Sequence, residues 1–245
     1  MNEKMTKGAA VPLYQQVMDN IRGEIEAGIY APGSQIPTEL ELAEAYQVGR
    51  VTVRRAIEEL VYEGYLTKQQ GRGTFVNAPK LVRKVRQEAD VQSFSEACRV
   101  NGMRPTSRLV SRHVVPASKE MAAFLGLEEG ADLLAVVRLR MADGVPVMFE
   151  NNYFPYEEFK FLEQENLGGS SSIFEVVRAH TGRYPENSGD CTVEIARADQ
   201  ETASYLAVPA GEPLFFMKVD FLDGAGKPLF IGRQYIVGSR FIFSI

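Results

Sequence analysis

The sequence predicts an α+β chain in two parts: a small bundle of helices closed by a β-hairpin, then a larger antiparallel sheet with covering helices. Three observations predict it. Between residues 38 and 76 two short amphipathic helices run straight into a glycine-flanked basic hairpin, Gln69-Gln70-Gly71-Arg72-Gly73. Beyond residue 120 the sequence repeats itself at an offset of 81 to 82. Between them lies a basic stretch with no clear period.

The chain has 245 residues, comfortable for two domains. With 45% hydrophobic and 24% charged residues it has an ordinary globular composition. No apolar run approaches the ~18 residues of a membrane span. The N-terminus is polar and lacks a signal-peptide apolar core, so the cytoplasm is expected. Cys98 and Cys191 share no metal or redox spacing and are expected to be buried thiols. The net charge of −5 argues against nucleic acid only until its distribution is read. Residues 1–87 carry 12 Lys/Arg against 10 Asp/Glu, and the remainder 15 against 22. Residues 45–57 carry Arg50, Arg54 and Arg55 with no acid. Phosphate contacts act within about a Debye length, ~8–10 Å, so local sign outweighs the sum.

In order along the chain, Leu13, Val17, Ile21 and Ile25 predict a helix over 13–27 that ends at Gly28. Pro32-Gly33 turns the chain. Thr38 and Glu41 have capping-box spacing, which starts a second helix running to Tyr46. Gln47-Val48-Gly49 is the turn. Val53, Ile57, Leu60 and Val61 form the apolar face of a third helix over 50–63, stopped by Gly64. Its first turns hold Arg50, Thr52, Arg54 and Arg55. Cations at a helix N-terminus oppose the dipole by ~0.3–1 kcal/mol each, a cost that an approaching phosphate removes. A solvated arginine face is the alternative. The continuation weighs against it: strands at 65–68 and 74–76 frame the hairpin, and Gly71 and Gly73 leave Arg72 exposed at its tip. A helix for a major groove and a basic wing beside it make a winged helix-turn-helix, and double-stranded DNA the expected partner.

Pro12-Leu13-Tyr14, Pro32-Gly33, Ile36-Pro37-Thr38-Glu39, Val51-Thr52-Val53-Arg54 and Gly71-Arg72-Gly73-Thr74-Phe75-Val76 resemble the DNA-binding domain of the GntR family of bacterial transcription regulators. The resemblance covers residues 11–78. It implies DNA contacts at Thr38, Glu39, Arg50, Thr52, Arg54, Arg72 and Gly73, to which the charge pattern adds Arg55. Leu40 and Gly49 depart from the family's frequent polar or basic residue and serine, so the operator sequence is not carried over.

The expected domains are 1–78, a basic linker at 79–88 that includes Lys80, Arg83, Lys84 and Arg86, and 89–245. The second domain is internally duplicated. Phe124 matches Tyr205, Gly130 matches Gly211 and Leu133 matches Leu214; past the turns at Asp143-Gly144 and Asp223-Gly224, Pro146 matches Pro228 and Tyr153 matches Tyr235. Each copy reads short helix, strand, hairpin, strand. With extra strands at 109–115 and 191–196 this predicts about six antiparallel strands, covered on one face by helices near 156–163 and 172–180.

The duplication is an internal control. Arg138 and Arg140 alternate on one strand and so share a face. Their counterparts are Val219 and Phe221, while Glu150 on the paired strand corresponds to Gly232. Scaffold needs are similar in the two copies, so charges found in one only point to a bidentate anion site. The alternative is an exposed Arg–Glu cross-strand pair worth ~0.2–1 kcal/mol. Gly168-Gly169-Ser170-Ser171-Ser172 reads equally as a phosphate-holding loop before a helix or as an ordinary loop with a serine cap. His113 and His180 lie in different elements with no third ligand near, so no metal site is expected.

Ser93-Phe94-Ser95, Val137-Arg138-Leu139-Arg140, Phe149-Glu150, Tyr153-Phe154-Pro155, Ser171-Ser172-Ile173-Phe174 and Gln234-Tyr235 resemble the UTRA effector-binding domain of the HutC subfamily, which has a chorismate-lyase-like fold. That resemblance implies a small effector, often a phosphorylated sugar, contacted at Ser93, Phe94, Arg138, Arg140, Glu150, Ser171 and Tyr235. The expected function is a homodimeric, effector-responsive transcription regulator of the repressor kind, with no cofactor, no membrane partner and no enzymatic activity. The rival is an enzyme on a chorismate-lyase-like fold acting on a small carboxylate, for which Glu150 is the sole acid–base candidate.

Overall fold

A computed structural model describes residues 11–77, 80–84 and 91–244. The chain divides into two compact units, Met1–Pro79 and Lys80–Ile245.

The first unit holds three helices and a hairpin. Helix α1 (Leu13–Glu26) packs Val17 and Ile21 into the core, and Gly28 turns the chain in the left-handed region. Helix α2 (Glu39–Tyr46) starts at Thr38: the Thr38 hydroxyl accepts from the Glu41 backbone N–H, and the Glu41 carboxylate accepts from the Thr38 N–H. Helix α3 (Arg50–Tyr62) buries Val53, Ile57 and Leu60 against α1 and α2. Strands β1 (Leu66–Gln69) and β2 (Gly73–Val76) pair antiparallel and close the core with Leu66 and Val76.

Gly73 requires glycine at this turn. Its φ is +124°, and a Cβ there would press on the Gln35 side chain. Gly73→Ala is expected to destabilise the unit by about 1–3 kcal/mol through backbone strain, read as a lower midpoint in thermal unfolding.

The second unit contains β3 (Leu81–Lys84), α4 (Phe94–Val100), β4 (Pro105–Pro116), α5 (Lys119–Leu125), β5 (Asp132–Ala142), β6 (Val145–Pro155), α6 (Tyr156–Phe159) with a following 3-10 turn, α7 (Ile173–Thr181), β7 (Asn187–Arg197), α8 (Gln200–Leu206), β8 (Pro213–Leu222), β9 (Pro228–Val237) and β10 (Phe241–Ser244). The six-stranded sheet runs β4-β5-β6-β9-β8-β7, antiparallel throughout. That order mirrors itself about the β6–β9 contact, as the sequence repeat requires. Arg138 faces Glu150 across β5–β6, and their counterparts Val219 and Gly232 face each other across β8–β9.

Strand β5 is buried on both faces, so the sheet is a central layer. One face carries α4, α6 and α7 over Leu134, Val136, Met148, Phe154, Val219 and Phe230. The other carries α5 and α8, the short helices of the two repeats.

Two readings of the sequence change here. Residues 81–84, assigned to a linker, form a strand paired in parallel with β10. Leu81 and Arg83 turn inward and Val82 outward, a period of two too short to register beside the flanking charges. Pro79 and Arg86 lie outside the described residues. Cys98 is a buried thiol, but Cys191 is exposed, because it sits on edge strand β7 beside a register shift.

Candidate functional site

In the first unit the N-termini of α2 and α3 and the strand β1 converge on Glu39. Its carboxylate accepts from Arg54 Nε at 3.0 Å and from Lys68 Nζ at 3.5 Å. Burial would raise the Glu39 pKa, but Arg54 and Lys68 more than offset this and hold it below the ordinary value. Arg54 remains exposed and is held in a fixed direction by this pair. Arg50 is exposed at the start of α3, where Gly49 supplies no side-chain cap. Thr52 is half-buried one turn in.

Arg72 is exposed at the hairpin tip between Gly71 and Gly73, its guanidinium 6.0 Å from the Phe75 ring centre. The Thr38 hydroxyl is occupied by Glu41, to which it also donates at 2.7 Å. Arg55 stands apart from this set. It lies over the Tyr14 ring of α1 at 3.9 Å, because one residue along a helix turns the side chain by about 100°. Leu40 and Val51 are 51% and 80% exposed at the starts of α2 and α3. Large apolar side chains left in water beside arginines suit contact with thymine methyl groups.

In the second unit a hollow opens between the sheet, α4 and α7. It is small, with a cavity volume of about 20 Å³. Arg138, Arg140 and Glu150 line it and are 1%, 2% and 5% exposed. Arg138 is ion-paired with Glu150, and Arg140 Nη1 lies 3.8 Å from the same carboxylate oxygen. Arg140 Nη2 donates to Ser95 Oγ at 3.2 Å, and the guanidinium sits 4.5 Å from the Phe94 ring centre. Nε and Nη1 of both arginines have no hydrogen-bond acceptor among the described residues. One carboxylate therefore serves two buried guanidiniums and leaves their remaining N–H groups unmatched. Burial, with Arg138 alongside, pushes the Arg140 pKa down, whereas burial of Glu150 is overcome by the two arginines and its pKa falls. The Arg140 shift is first the cost of burying a cation and only then repulsion by Arg138, and a bound anion would relieve both.

Ser93 and Phe94 also line the hollow, with Ser93 capping α4 through the Glu96 N–H. Two expected residues do not. Ser172, not Ser171, lines it, and Ser172 precedes α7 without capping it by its side chain. Tyr235 lies on the opposite face, stacked on Phe216 at 4.7 Å and packed with the cluster of Val137, Phe149 and Leu206. Strand alternation is the reason. Gln234 shares Glu150's face and pairs with it in register, so its neighbour must point away. Gln92, Asn152, Gln234 and Arg83 line the hollow and were missed. Asn152 and Gln234 are equivalent positions of the repeat, and polar residues kept in both copies gave no contrast.

Residues 13–76 match the bacterial regulatory proteins of the gntR family, and residues 100–242 match the UTRA domain. The chain belongs to the gntR family. It is thus an effector-responsive, DNA-binding transcription regulator and not an enzyme. Its winged helix is the gntR unit and its six-stranded sheet the UTRA unit.

Over 98% of its length the chain is 31% identical to the HTH-type transcriptional repressor NagR of Bacillus subtilis, covering 96% of that protein. It is 26% identical to the probable fructoselysine utilization operon transcriptional repressor of Escherichia coli K12, over 95% of this chain and 93% of that one. Among solved structures, PhnF from Mycobacterium smegmatis superposes with a TM-score of 0.70 at 26% identity, over 93% of this chain and 97% of that one. Among the described residues no helix is long and apolar enough to cross a membrane.

Proposed function

We propose that this gntR regulator is a repressor of the HutC subfamily, released from its operator when a small anionic sugar derivative of the sugar-phosphate kind enters the UTRA hollow. The observation that carries this reading is the set of unmatched N–H groups on Arg138 and Arg140 beside a single shared carboxylate. A buried guanidinium costs several kcal/mol unless its donors are met, and an oxyanion meets them bidentately. Ser93, Phe94 and Glu150 complete the contacts, Glu150 by accepting from a sugar hydroxyl or amine. Two relatives named as repressors support the sign of regulation, and the name of one of them specifies a sugar-derived substrate.

On the DNA side, Arg50, Thr52 and Arg54 enter the major groove from α3, with Thr38 and Glu39 at its edge and Arg72 and Gly73 on the backbone or minor groove. Arg55, turned toward α1, contributes a longer-range charge. A homodimer places two such heads on a pseudo-palindromic operator in the bacterial cytoplasm, where the DNA lies.

The test is an effector screen on the full-length protein. Phosphorylated sugars and amino sugars, their unphosphorylated parents and sulfate are compared by thermal shift and by release of an operator selected from random duplexes. Sugar phosphates are expected to raise the unfolding midpoint and to release DNA, with the parent sugars inert. Release by the parent sugars alone would contradict the anion reading.

A further inference from the structure

Arg83 lies between the two family-matched spans, residues 13–76 and 100–242, so neither match assigns it a role. It reaches the UTRA hollow from β3 and is 9% exposed. Among the described residues its guanidinium has only neutral partners: Nη1 donates to Gln234 Oε1 at 3.4 Å, and Nη2 to the Gln92 carbonyl at 3.1 Å. No carboxylate among the described residues lies within ion-pair distance. Glu150, the sole acid among the described residues that line the hollow, is committed to Arg138 and Arg140.

Among the described residues three buried guanidiniums thus face one carboxylate, leaving two positive charges in excess. A monocarboxylate or other monoanion neutralises only one of them, whereas a phosphate monoester in its dianionic form neutralises both.

We infer that Arg83 is a third anion-binding residue of the hollow and sets its preference for dianionic over monoanionic ligands. The inference rests on the hollow being the effector site. Arg138 and Arg140 hold the anion whatever its charge; Arg83, with no acidic partner among the described residues, engages the second negative charge. Gln234 keeps the guanidinium aimed inward without neutralising it, which is why an amide and not a carboxylate suits that position.

The test uses the full-length protein and two probes: sulfate, a dianion, and methanesulfonate, a monoanion with a similar tetrahedral head. Each is titrated calorimetrically in low-chloride buffer. Wild type is expected to prefer sulfate by about tenfold or more, the worth of one charge-assisted contact. Arg83→Gln is expected to bring sulfate down to the level of methanesulfonate while leaving methanesulfonate unchanged. Gln234→Glu keeps Arg83 and the side-chain volume but gives the guanidinium an internal counter-ion, and the sulfate preference is expected to vanish there too. That near-isosteric variant decides the matter alone if Arg83→Gln does not fold. A wild type with no preference, or variants that keep it, overturns the role of Arg83 while leaving the anion site standing. Failure of wild type to bind either probe, or binding of both that survives Arg138→Met, refutes the site itself and the role of Arg83 with it.

Discussion

Arg138→Met is expected to leave operator binding within about threefold of wild type while raising the effector concentration needed for release by about 100-fold or more. Two charge-assisted contacts worth ~1.5–3 kcal/mol each are removed from the ligand, and tenfold in affinity corresponds to ~1.4 kcal/mol. No group of the DNA-binding unit is altered. Methionine fills much of the arginine's volume, so the main cost to the fold is electrostatic. Glu150 loses its ion-pair partner and keeps Arg140 at 3.8 Å.

Leaving a buried carboxylate half-paired costs about 3–5 kcal/mol, and the pH dependence identifies it. In wild type the Glu150 pKa is depressed below its ordinary value of 4.5. Its contribution to stability is therefore present above that value and is lost as pH falls through the lower folded value. In the variant the carboxyl titrates at higher pH, so the deficit is greatest near pH 7 and shrinks as Glu150 takes up a proton. Adding Glu150→Gln to Arg138→Met is expected to recover most of the lost stability at pH 7 without restoring release. A deficit independent of pH would show that packing, not charge, is what Arg138 provides.

Arg54→Ala and Arg72→Ala are expected to weaken operator binding and each to lower the slope of log affinity against log salt by about 1, the signature of one lost phosphate contact. Arg54 should lose more than the charge alone, because its pairing with Glu39 fixes its direction before DNA arrives. If Arg54 reads a base, the salt slope changes little and discrimination at one operator position falls by ~1–3 kcal/mol instead. Arg55→Ala, with its guanidinium on Tyr14, is the internal comparison and is expected to have the smallest effect of the three. Anion-triggered release should survive in all three variants, measured at protein concentrations that restore binding.

The legible parts of the chain were those where local chemistry forces local structure. The capping box at Thr38 and Glu41, the left-handed glycines after α1 and α3, and the hairpin glycines need no tertiary information. The sheet was legible for a different reason. The repeat gave its strand pairing twice, and the contrast of Arg138 and Glu150 with Val219 and Gly232 marked the charged end of the hollow.

What escaped depends on contacts distant in sequence. Strand β3 exists because β10 lies beside it, more than 150 residues on, and four residues carry too little period to announce themselves. Arg83 was hidden by the same circumstance, as one cation among several in a charged run. Tyr235 was misplaced by one residue, the smallest error a strand allows and one that reverses the face. Ser171 and Ser172 differ in the same way at the entrance to α7.

Central to the proposed function is that the buried positive charge of the UTRA unit binds an oxyanion. Crystals of the full-length protein soaked in selenate, and measured at the selenium edge, examine it most directly. The expected anomalous peak lies within hydrogen-bonding reach of the Arg138 and Arg140 guanidiniums. Selenate found only on the exposed arginines of the DNA-binding unit, with the hollow unoccupied at saturating concentration, would contradict it.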